Sequence, residues 1–296
     1  NNLEQALICK GAFEEIIAVC DYIDTGGKVS KLNEKSREEV KCIVDNLNEN
    51  GYRVLAVAYK NINKKDAKSV YETEDEKSLT LLGFLSFLDP PKKTSKEALS
   101  DLQKLGIRIK ILTGDNEKVT KHVCEEVGVN IHKIFHGLEI EKMTEEELIG
   151  AVNTADIFVK LAPNHKDRII AALQKSGHVV GFMGDGINDA SALKTADVGI
   201  SVNSAAPIAK ESSDIILLNN SLLILKDGVI EGRKVFGNII KYIKMAASSN
   251  FGNMFSVVGA SAFLPFLPMM PIQVLTNNLL YDFSQTTIPT DNVDKE

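Results

Sequence analysis

The chain has 296 residues, and its 44% hydrophobic and 25% charged content excludes a disordered or collagen-like protein. Its length indicates about two domains. Forty acidic against 34 basic residues give a net charge of −6, whereas nucleic-acid binding normally requires a basic excess or a basic face. We therefore expect no nucleic-acid partner. The four cysteines are spread singly, which favours free thiols over a disulfide framework.

The amino-terminal part, residues 1–88, predicts a small α+β domain with strands at 52–59 and 79–88. Thr25-Gly26-Gly27-Lys28 is similar to a phosphate-binding loop, but the P-loop spacing of glycine, lysine and hydroxyl residue is not met. A tight turn is the better interpretation of these four residues. Asp89-Pro90-Pro91 then marks a link to the next domain.

The middle part, residues 89–231, alternates strand-like and helix-like stretches. Strands are predicted at 107–112, 156–161, 178–183, 197–202 and 213–218, and helices at 95–105, 117–127, 144–153, 165–176 and 188–195. Strands that alternate with helices of this length indicate a parallel sheet with right-handed crossovers. The fold class predicted here is therefore α/β.

The strongest local motif is Gly184-Asp185-Gly186-Ile187-Asn188-Asp189, which follows a predicted buried strand and precedes a predicted helix. Open α/β sheets bind ligands at the carboxyl ends of their strands. Asp185 and Asp189 supply hard oxygen ligands that suit Mg²⁺, which takes its other ligands from water and phosphate. The alternative is a helix-capping loop with solvated carboxylates, which fits a single aspartate better than this whole motif.

Two further turns follow predicted strands. The Thr113 hydroxyl and the Gly114 amide are suited to a phosphoryl oxygen at a helix N-terminus, although the same residues also form a good capping turn. Lys166, in Pro-Asn-His-Lys, offers a positive charge for a phosphoryl group, although a lone lysine is more often solvated. Because all three motifs follow strands, together they predict one phosphate site.

The last part, residues 232–296, contains an uncharged run of 36 residues at 246–281. One membrane helix needs about 20 apolar residues, so the run suits two spans, at about 246–264 and 272–289. Prolines near its middle mark a turn, and a basic flank before the first span places the soluble part in the cytosol. The alternative is a buried helical hairpin of a soluble protein.

The predicted spans also carry polar residues: Asn250, Asn253, Asn277, Asn278 and Asp282. Polar groups at membrane depth are costly and usually face a bundle interior or an ion path. They also hydrogen-bond helices together, so both roles remain open from the residues alone.

These motifs resemble signature sequences of P-type cation-transporting ATPases. The resemblance covers Thr113-Gly114-Asp115, Lys166 in its PNHK context, and the motif from Gly184 to Asp189. Asp89-Pro90-Pro91-Lys92 resembles the family's interdomain hinge, Lys10-Gly11-Ala12 its KGA nucleotide motif, and Arg53 a nucleotide-contacting arginine. The motifs occur in the family's order, and the hydrophobic pair resembles its fifth and sixth membrane helices.

The resemblance implies a fold and a set of cofactors. It implies a haloacid-dehalogenase-like, Rossmann-like parallel-sheet domain, part of an α+β nucleotide-binding domain and a transmembrane helical hairpin. ATP and Mg²⁺ are the implied cofactors. The implied catalytic residues are Thr113, Gly114, Asp115, Lys166 and Asn188; the nucleotide contacts are Lys10, Gly11 and Arg53; and the Mg²⁺ ligands are Asp185 and Asp189.

The membrane segment resembles the bacterial magnesium-transporting branch, since the calcium branch would have glutamate at the position of Asn253. The implied ligands of the transported Mg²⁺ are Asn250, Asn253, Asn278 and Asp282. This reading implies a multi-pass plasma-membrane protein with cytoplasmic soluble domains. Its partners are the lipid bilayer and the remainder of the same pump. A calcium-type ATPase is the alternative within the family.

The family's nucleophile, the aspartate of D-K-T-G-T, does not occur in these 296 residues. We therefore expect the chain alone to be inactive, and the complete protein to supply the nucleophile and form the aspartyl-phosphate. A soluble phosphatase of the same fold group would need its own nucleophilic aspartate and no hairpin. A non-catalytic, membrane-anchored fragment that binds nucleotide or Mg²⁺ is the alternative from another class.

Overall fold

The computed structural model describes residues 5–62, 68, 70–219 and 221–291. It contains two compact units, 1–221 and 222–296, which are described separately below. The first unit is mixed α/β and includes parallel sheets, as the sequence predicts. The three-part division at 88 and 231 remains a prediction.

A five-stranded sheet with two helices forms the start of the first unit. Its elements are β1 (Gln5–Ala12), α1 (Phe13–Ala18), β2 (Cys20–Thr25), β3 (Lys28–Lys31), α2 (Glu34–Glu49), β4 (Tyr52–Ile62) and β5 (Leu79–Leu88). The strand order is β1-β4-β5-β2-β3. Gly26 and Gly27 both have positive φ and join β2 to β3. Two such glycines are typical of a two-residue hairpin turn, which confirms the tight-turn interpretation.

The five-stranded sheet has one face covered by helices and one open face, and the side chains of β4 show which is which. Val54, Ala56 and Ala58 are buried in the core formed with α1 and α2. Because side chains alternate along a strand, Arg53, Leu55 and Val57 lie on the opposite face. The buried face therefore fixes which side of the sheet remains available to a ligand.

The remainder of the first unit alternates short strands and helices. Its elements are α3 (Ser95–Lys104), β6 (Ile111–Leu112), α4 (Glu117–Val127), β7 (Ile134–His136), α5 (Gly137–Lys142), α6 (Glu145–Thr154), β8 (Ile157–Val159), α7 (Pro163–Lys175), β9 (Gly181–Met183), α8 (Ala190–Thr195), β10 (Val198–Val202), α9 (Pro207–Glu211) and β11 (Ile215–Leu217). Every predicted helix of this part has a counterpart here. Strand β7 and helices α5 and α9 are additional.

The strands pair in parallel, in two three-stranded sheets ordered β6-β8-β7 and β11-β10-β9. The sequence predicts one sheet, but β6 and β9 are shorter than the predicted strands 107–112 and 178–183, so less backbone is available for ladder pairing. Strand β8 is fully buried, as expected of a parallel strand covered on both faces. The buried side chains that pack around β8 form two apolar clusters.

The second unit consists of a long helix α10 (Leu223–Ser261), helix α11 (Pro271–Gln285) and a short 3₁₀ turn at Ile288–Thr290. Helix α10 covers residues 232–245, ahead of the first predicted span, and continues without interruption through most of that span. No helix among the described residues is both long and apolar enough to cross a membrane. Serine, asparagine and glycine lower the hydropathy of the second half of α10, and α11 has only 15 residues. The prediction of two spans at 246–264 and 272–289 is therefore not supported.

The four cysteines provide a test of the first unit's packing. Cys42 is exposed, whereas Cys9, Cys20 and Cys124 are buried. Burial raises the pKa of Cys20 and of Cys124 to about 11 each, so both remain protonated at neutral pH. In the native chain at pH 8, we expect Ellman's reagent to modify Cys42 rapidly and the three buried thiols only after denaturation. Rapid modification of more than one thiol would contradict this packing.

Candidate functional site

The turns after β6 and β8 are joined by backbone hydrogen bonds. The Thr113 amide donates to the Phe158 carbonyl at 3.0 Å, and the Leu161 amide donates to the Thr113 carbonyl at 3.0 Å. The Lys160 amide donates to the Asp115 carbonyl at 2.9 Å. These bonds place the predicted Thr113-Gly114-Asp115 motif at the carboxyl end of the parallel strands, where α/β sheets bind ligands.

The Thr113 turn is stabilised by its own side chains. The Thr113 hydroxyl donates to Asp115 Oδ2 at 3.1 Å and accepts from the Asp115 amide at 3.1 Å. Asn116 caps helix α4, because its side-chain oxygen accepts from the Val119 amide at 3.0 Å. Gly114 is exposed. The turn therefore caps helix α4, and the backbone at Gly114 remains exposed to solvent.

The turn after β9 is compact around Asp189. A side chain at Gly184 would place its Cβ 2.6 Å from the Asp189 Cβ, so only glycine fits there. The Gly186 amide donates to Asp189 Oδ2 at 3.0 Å. Asp189 is therefore buried within its own loop, while Asn188 is exposed in the 3₁₀ turn that precedes α8.

Lys166 and Asp189 form the central ion pair of the site. Lys166 Nζ lies 2.6 Å from Asp189 Oδ1, and the two side chains are only 13% and 11% exposed. Lys166 belongs to the first turn of α7, which follows β8, whereas Asp189 belongs to the loop after β9. The structure thus brings together two residues that the sequence assigned to one phosphate site.

The two aspartates of this loop differ in their availability to a metal ion. Both Asp189 oxygens are engaged, one by Lys166 and one by the Gly186 amide. Asp185 is exposed, and its carboxylate has no hydrogen bond or ion pair with the described residues. A free carboxylate is a hard ligand of the kind Mg²⁺ uses together with water and phosphate. Asp185 fits that ion better than Asp189 does.

The described part of the chain contains no group of three or more His, Cys, Asp or Glu side chains that would enclose a metal ion by themselves. Mg²⁺ commonly takes one or two carboxylates and completes its shell with water and substrate phosphates. A structural zinc site would instead need four protein ligands.

Of the three predicted nucleotide residues, Lys10 and Arg53 lie on the open face of the five-stranded sheet, whereas Gly11 lies on the face covered by helices. Lys10 is exposed on β1 and pairs with Val57 of β4, which shares this face with Arg53. Gly11 lies next to Lys10 in the strand, opposite Ala56. Arg53 contacts the predicted Thr113-Gly114-Asp115 motif, because its Nε lies 3.1 Å from Asp115 Oδ1.

The predicted ion ligands are only partly grouped. Asn277 Nδ2 donates to Asn253 Oδ1 at 3.3 Å, so Asn253 contacts an amide outside the predicted ligand set. Asn250 and Asp282 are exposed, and Asn278 is half-buried. Asp282 also lines a cavity of about 520 Å³ between α10, α11 and the 3₁₀ turn. The structure gives no contact that joins all four residues.

Sequence reasoning missed two features of the site. It did not pair Arg53 with Asp115, because residues so far apart in the chain give no local pattern. It also overlooked Ser201, a fully buried hydroxyl that donates to the Gly184 carbonyl at 2.9 Å. A detectable signal existed, since Ser201 is a polar residue within the apolar strand Val198–Val202.

Taken together, the fold and the site define an α/β protein that gathers an ion pair, a free carboxylate and glycine-rich turns at the ends of parallel strands. Comparison with known proteins agrees with this class. The model of the P-type ATPase cytoplasmic domain N matches residues 1–94. The magnesium-transporting ATPase, P-type 1, of Escherichia coli K12 is 51% identical over all 296 residues, which cover 33% of that protein.

Two further relatives extend the comparison. The protein of the same name from Salmonella typhimurium LT2 is 51% identical over 293 residues, which are 99% of this chain and 32% of that protein. The calcium-transporting ATPase of Bacillus subtilis is 31% identical over 279 residues, which are 93% of this chain and 31% of that protein. The chain thus spans about a third of the length of these relatives.

These matches identify the chain as a P-type ATPase sequence, more similar to magnesium-transporting members than to calcium-transporting ones. The resemblance drawn from the three motifs is thereby confirmed at the level of the family.

Because the Lys166–Asp189 pair is buried, we expect the removal of one charge to destabilise the fold more than the removal of both. Lys166→Met leaves a buried carboxylate without its cation, which we expect to lower the free energy of unfolding by about 3 kcal/mol. The double variant Lys166→Met/Asp189→Asn removes both charges and should recover part of this loss. Urea unfolding followed by circular dichroism measures both effects.

The matched control is Lys118→Met. Lys118 forms ion pairs with Asp45 and Glu49 but is 40% exposed, so its loss should lower the free energy of unfolding much less than the loss of Lys166 does. Equal losses for Lys166→Met and Lys118→Met would contradict a buried central pair.

Proposed function

We propose that this chain is the catalytic and ion-path segment of an ATP-driven magnesium pump that works through an aspartyl-phosphate intermediate. The observation that carries the proposal is the Lys166–Asp189 pair beside the free carboxylate of Asp185, at the carboxyl ends of parallel strands. The 51% identity to magnesium-transporting ATPases over the whole chain supports the substrate. The nucleophilic aspartate belongs to a D-K-T-G-T segment outside these 296 residues.

Phosphoryl transfer depends chiefly on positioning and on neutralising charge, and the site offers groups for both. Lys166 supplies a positive charge, and the Gly114 amide supplies a hydrogen-bond donor for phosphoryl oxygens. The single proton of the Thr113 hydroxyl is donated to Asp115 in this structure, so this hydroxyl donates to a phosphoryl oxygen only after it turns away from Asp115. Asn188, exposed next to Asp189, assists them. Asp115 holds the Thr113 hydroxyl in place.

The two aspartates after β9 take different roles in this proposal. Asp189 orients Lys166 and closes its own loop through the Gly186 amide. Asp185 is the Mg²⁺ ligand, because its carboxylate is exposed. When bound, Mg²⁺ neutralises charge on the nucleophile and the transferred phosphoryl group.

ATP binds on the open face of the five-stranded sheet. Leu55 and Val57 give this face an apolar surface suited to an adenine ring, while Lys10 and Arg53 suit the phosphates. Arg53 also pairs with Asp115, so a bound triphosphate competes with Asp115 for the same guanidinium. Nucleotide binding and the phosphate site are therefore coupled through one side chain.

The transported cation is Mg²⁺, and the proposed ligands are Asn250, Asn253, Asn278 and Asp282 of the hairpin. The complete pump is a multi-pass protein of the plasma membrane, with the haloacid-dehalogenase-like and nucleotide domains in the cytoplasm. The 36-residue uncharged run and the many exposed apolar side chains of α10 and α11 support a lipid or helix environment for this hairpin.

A second candidate applies to the chain by itself. Because D-K-T-G does not occur in the 296 residues, the chain alone would bind nucleotide and Mg²⁺ without turning ATP over. Calcium transport is less well supported, because the identity to the calcium-transporting relative is 31%.

The nucleotide assignment predicts the effect of two substitutions on the isolated chain. We expect Lys10→Ala and Arg53→Ala each to weaken binding of ATP about tenfold, since each removes a charged hydrogen-bond donor to phosphate. Displacement of a fluorescent ATP analogue measures the change. Lys35→Ala is the control, because Lys35 belongs to α2, the helix that covers the opposite face. An equal effect of all three substitutions would remove the open face from the nucleotide site.

A further inference from the structure

Ser201 is an unusual residue for its position. It lies in β10, the central strand of its three-stranded sheet, and its side chain is fully buried. A buried hydroxyl is unfavourable unless it is hydrogen-bonded. The Ser201 hydroxyl meets this requirement with a single acceptor, the Gly184 carbonyl at 2.9 Å. The bond connects the sheet interior directly to the loop that carries Asp185.

This bond extends the pairing of β9 with β10 beyond its last residue. The register of the two strands ends at Met183 opposite Ile200. The next amide, that of Gly184, still donates to the Ile200 carbonyl at 3.1 Å. The Ser201 hydroxyl then binds the carbonyl of the same residue. Both polar backbone groups of Gly184 are therefore attached to β10.

The carbonyl of Asp185 is attached as well, because the Ala206 amide donates to it at 2.9 Å. The peptide groups before and after Asp185 are thus both hydrogen-bonded, the first to Ser201 and the second to Ala206. Two glycines, Gly184 and Gly186, flank this aspartate, and glycine loses more conformational freedom on ordering than any other residue. Without external bonds, this segment would sample many orientations of its carboxylate.

We propose that Ser201 is a positioning residue that sets the orientation of the Asp185 carboxylate and thereby the affinity of the site for Mg²⁺. The hydroxyl fixes the peptide group that joins Gly184 to Asp185. Groups that orient a metal ligand from outside commonly change metal affinity tenfold or more when they are removed. The inference rests on the proposed function, in which Asp185 binds Mg²⁺.

The test measures metal binding by the chain itself, without any turnover. Free Mn²⁺ is followed by electron paramagnetic resonance, and Mg²⁺ is added to displace the bound Mn²⁺. The variants are Ser201→Ala, Val202→Ala and Asp185→Asn. Val202 is the matched control because it is buried in the same strand and, unlike Ser201, is not bonded to the Asp185 loop. Thermal unfolding of each variant is recorded in parallel.

We expect Ser201→Ala to weaken Mg²⁺ binding roughly tenfold. Val202→Ala should change it less than about twofold, although trimming a buried valine destabilises the fold. Equal Mg²⁺ affinities of Ser201→Ala and Val202→Ala would overturn the positioning role.

Asp185→Asn separates this inference from the proposed function. If Asp185→Asn loses Mg²⁺ binding but Ser201→Ala keeps it, only the role of Ser201 is wrong. If Asp185→Asn binds Mg²⁺ as tightly as the parent chain, the metal assignment in the proposed function is wrong, and the role of Ser201 falls with it.

Discussion

The ion pair between Lys166 and Asp189 is the interaction on which the site depends. It joins the helix after β8 to the loop after β9, and these strands belong to two different three-stranded sheets. Both side chains are largely withdrawn from water, so neither charge is tolerable without the other. The pair therefore fixes Lys166, the proposed cation for phosphate, relative to the loop that carries Asp185, the proposed metal ligand.

The ion pair determines which neighbouring groups remain available to a ligand. Because Asp189 is used by Lys166 and by the Gly186 amide, Asp185 is the carboxylate left for a ligand. Ser201 holds the backbone of that loop from the sheet interior. A separate ion pair, between Arg53 and Asp115, joins the Thr113 turn to the proposed nucleotide face. The two pairs thus connect the three motifs of the proposed phosphate site to elements from different parts of the first unit.

The sequence predicted most of the helices and the location of each motif at the end of a strand, because capping residues and apolar periodicity are local signals. It could not predict contacts between distant positions, such as Arg53 with Asp115 or Ser201 with Gly184. It also treated Asp185 and Asp189 alike, since only the folded loop shows that one is buried and paired. The structure does not support the predicted spans, because they were inferred from a run without charges, in which serine, asparagine and glycine are frequent.

We propose that Asp185 supports phosphoryl transfer in the complete protein that contains this chain. The most direct measurement is the Mg²⁺-dependent incorporation of radioactive phosphate from ATP labelled at its γ-phosphoryl group, before and after Asp185→Asn. In the parent protein we expect an acid-stable phosphoenzyme that hydroxylamine cleaves, and in the variant we expect none above background. A normal phosphoenzyme level in the Asp185→Asn protein would show that Asp185 is not needed for phosphoryl transfer.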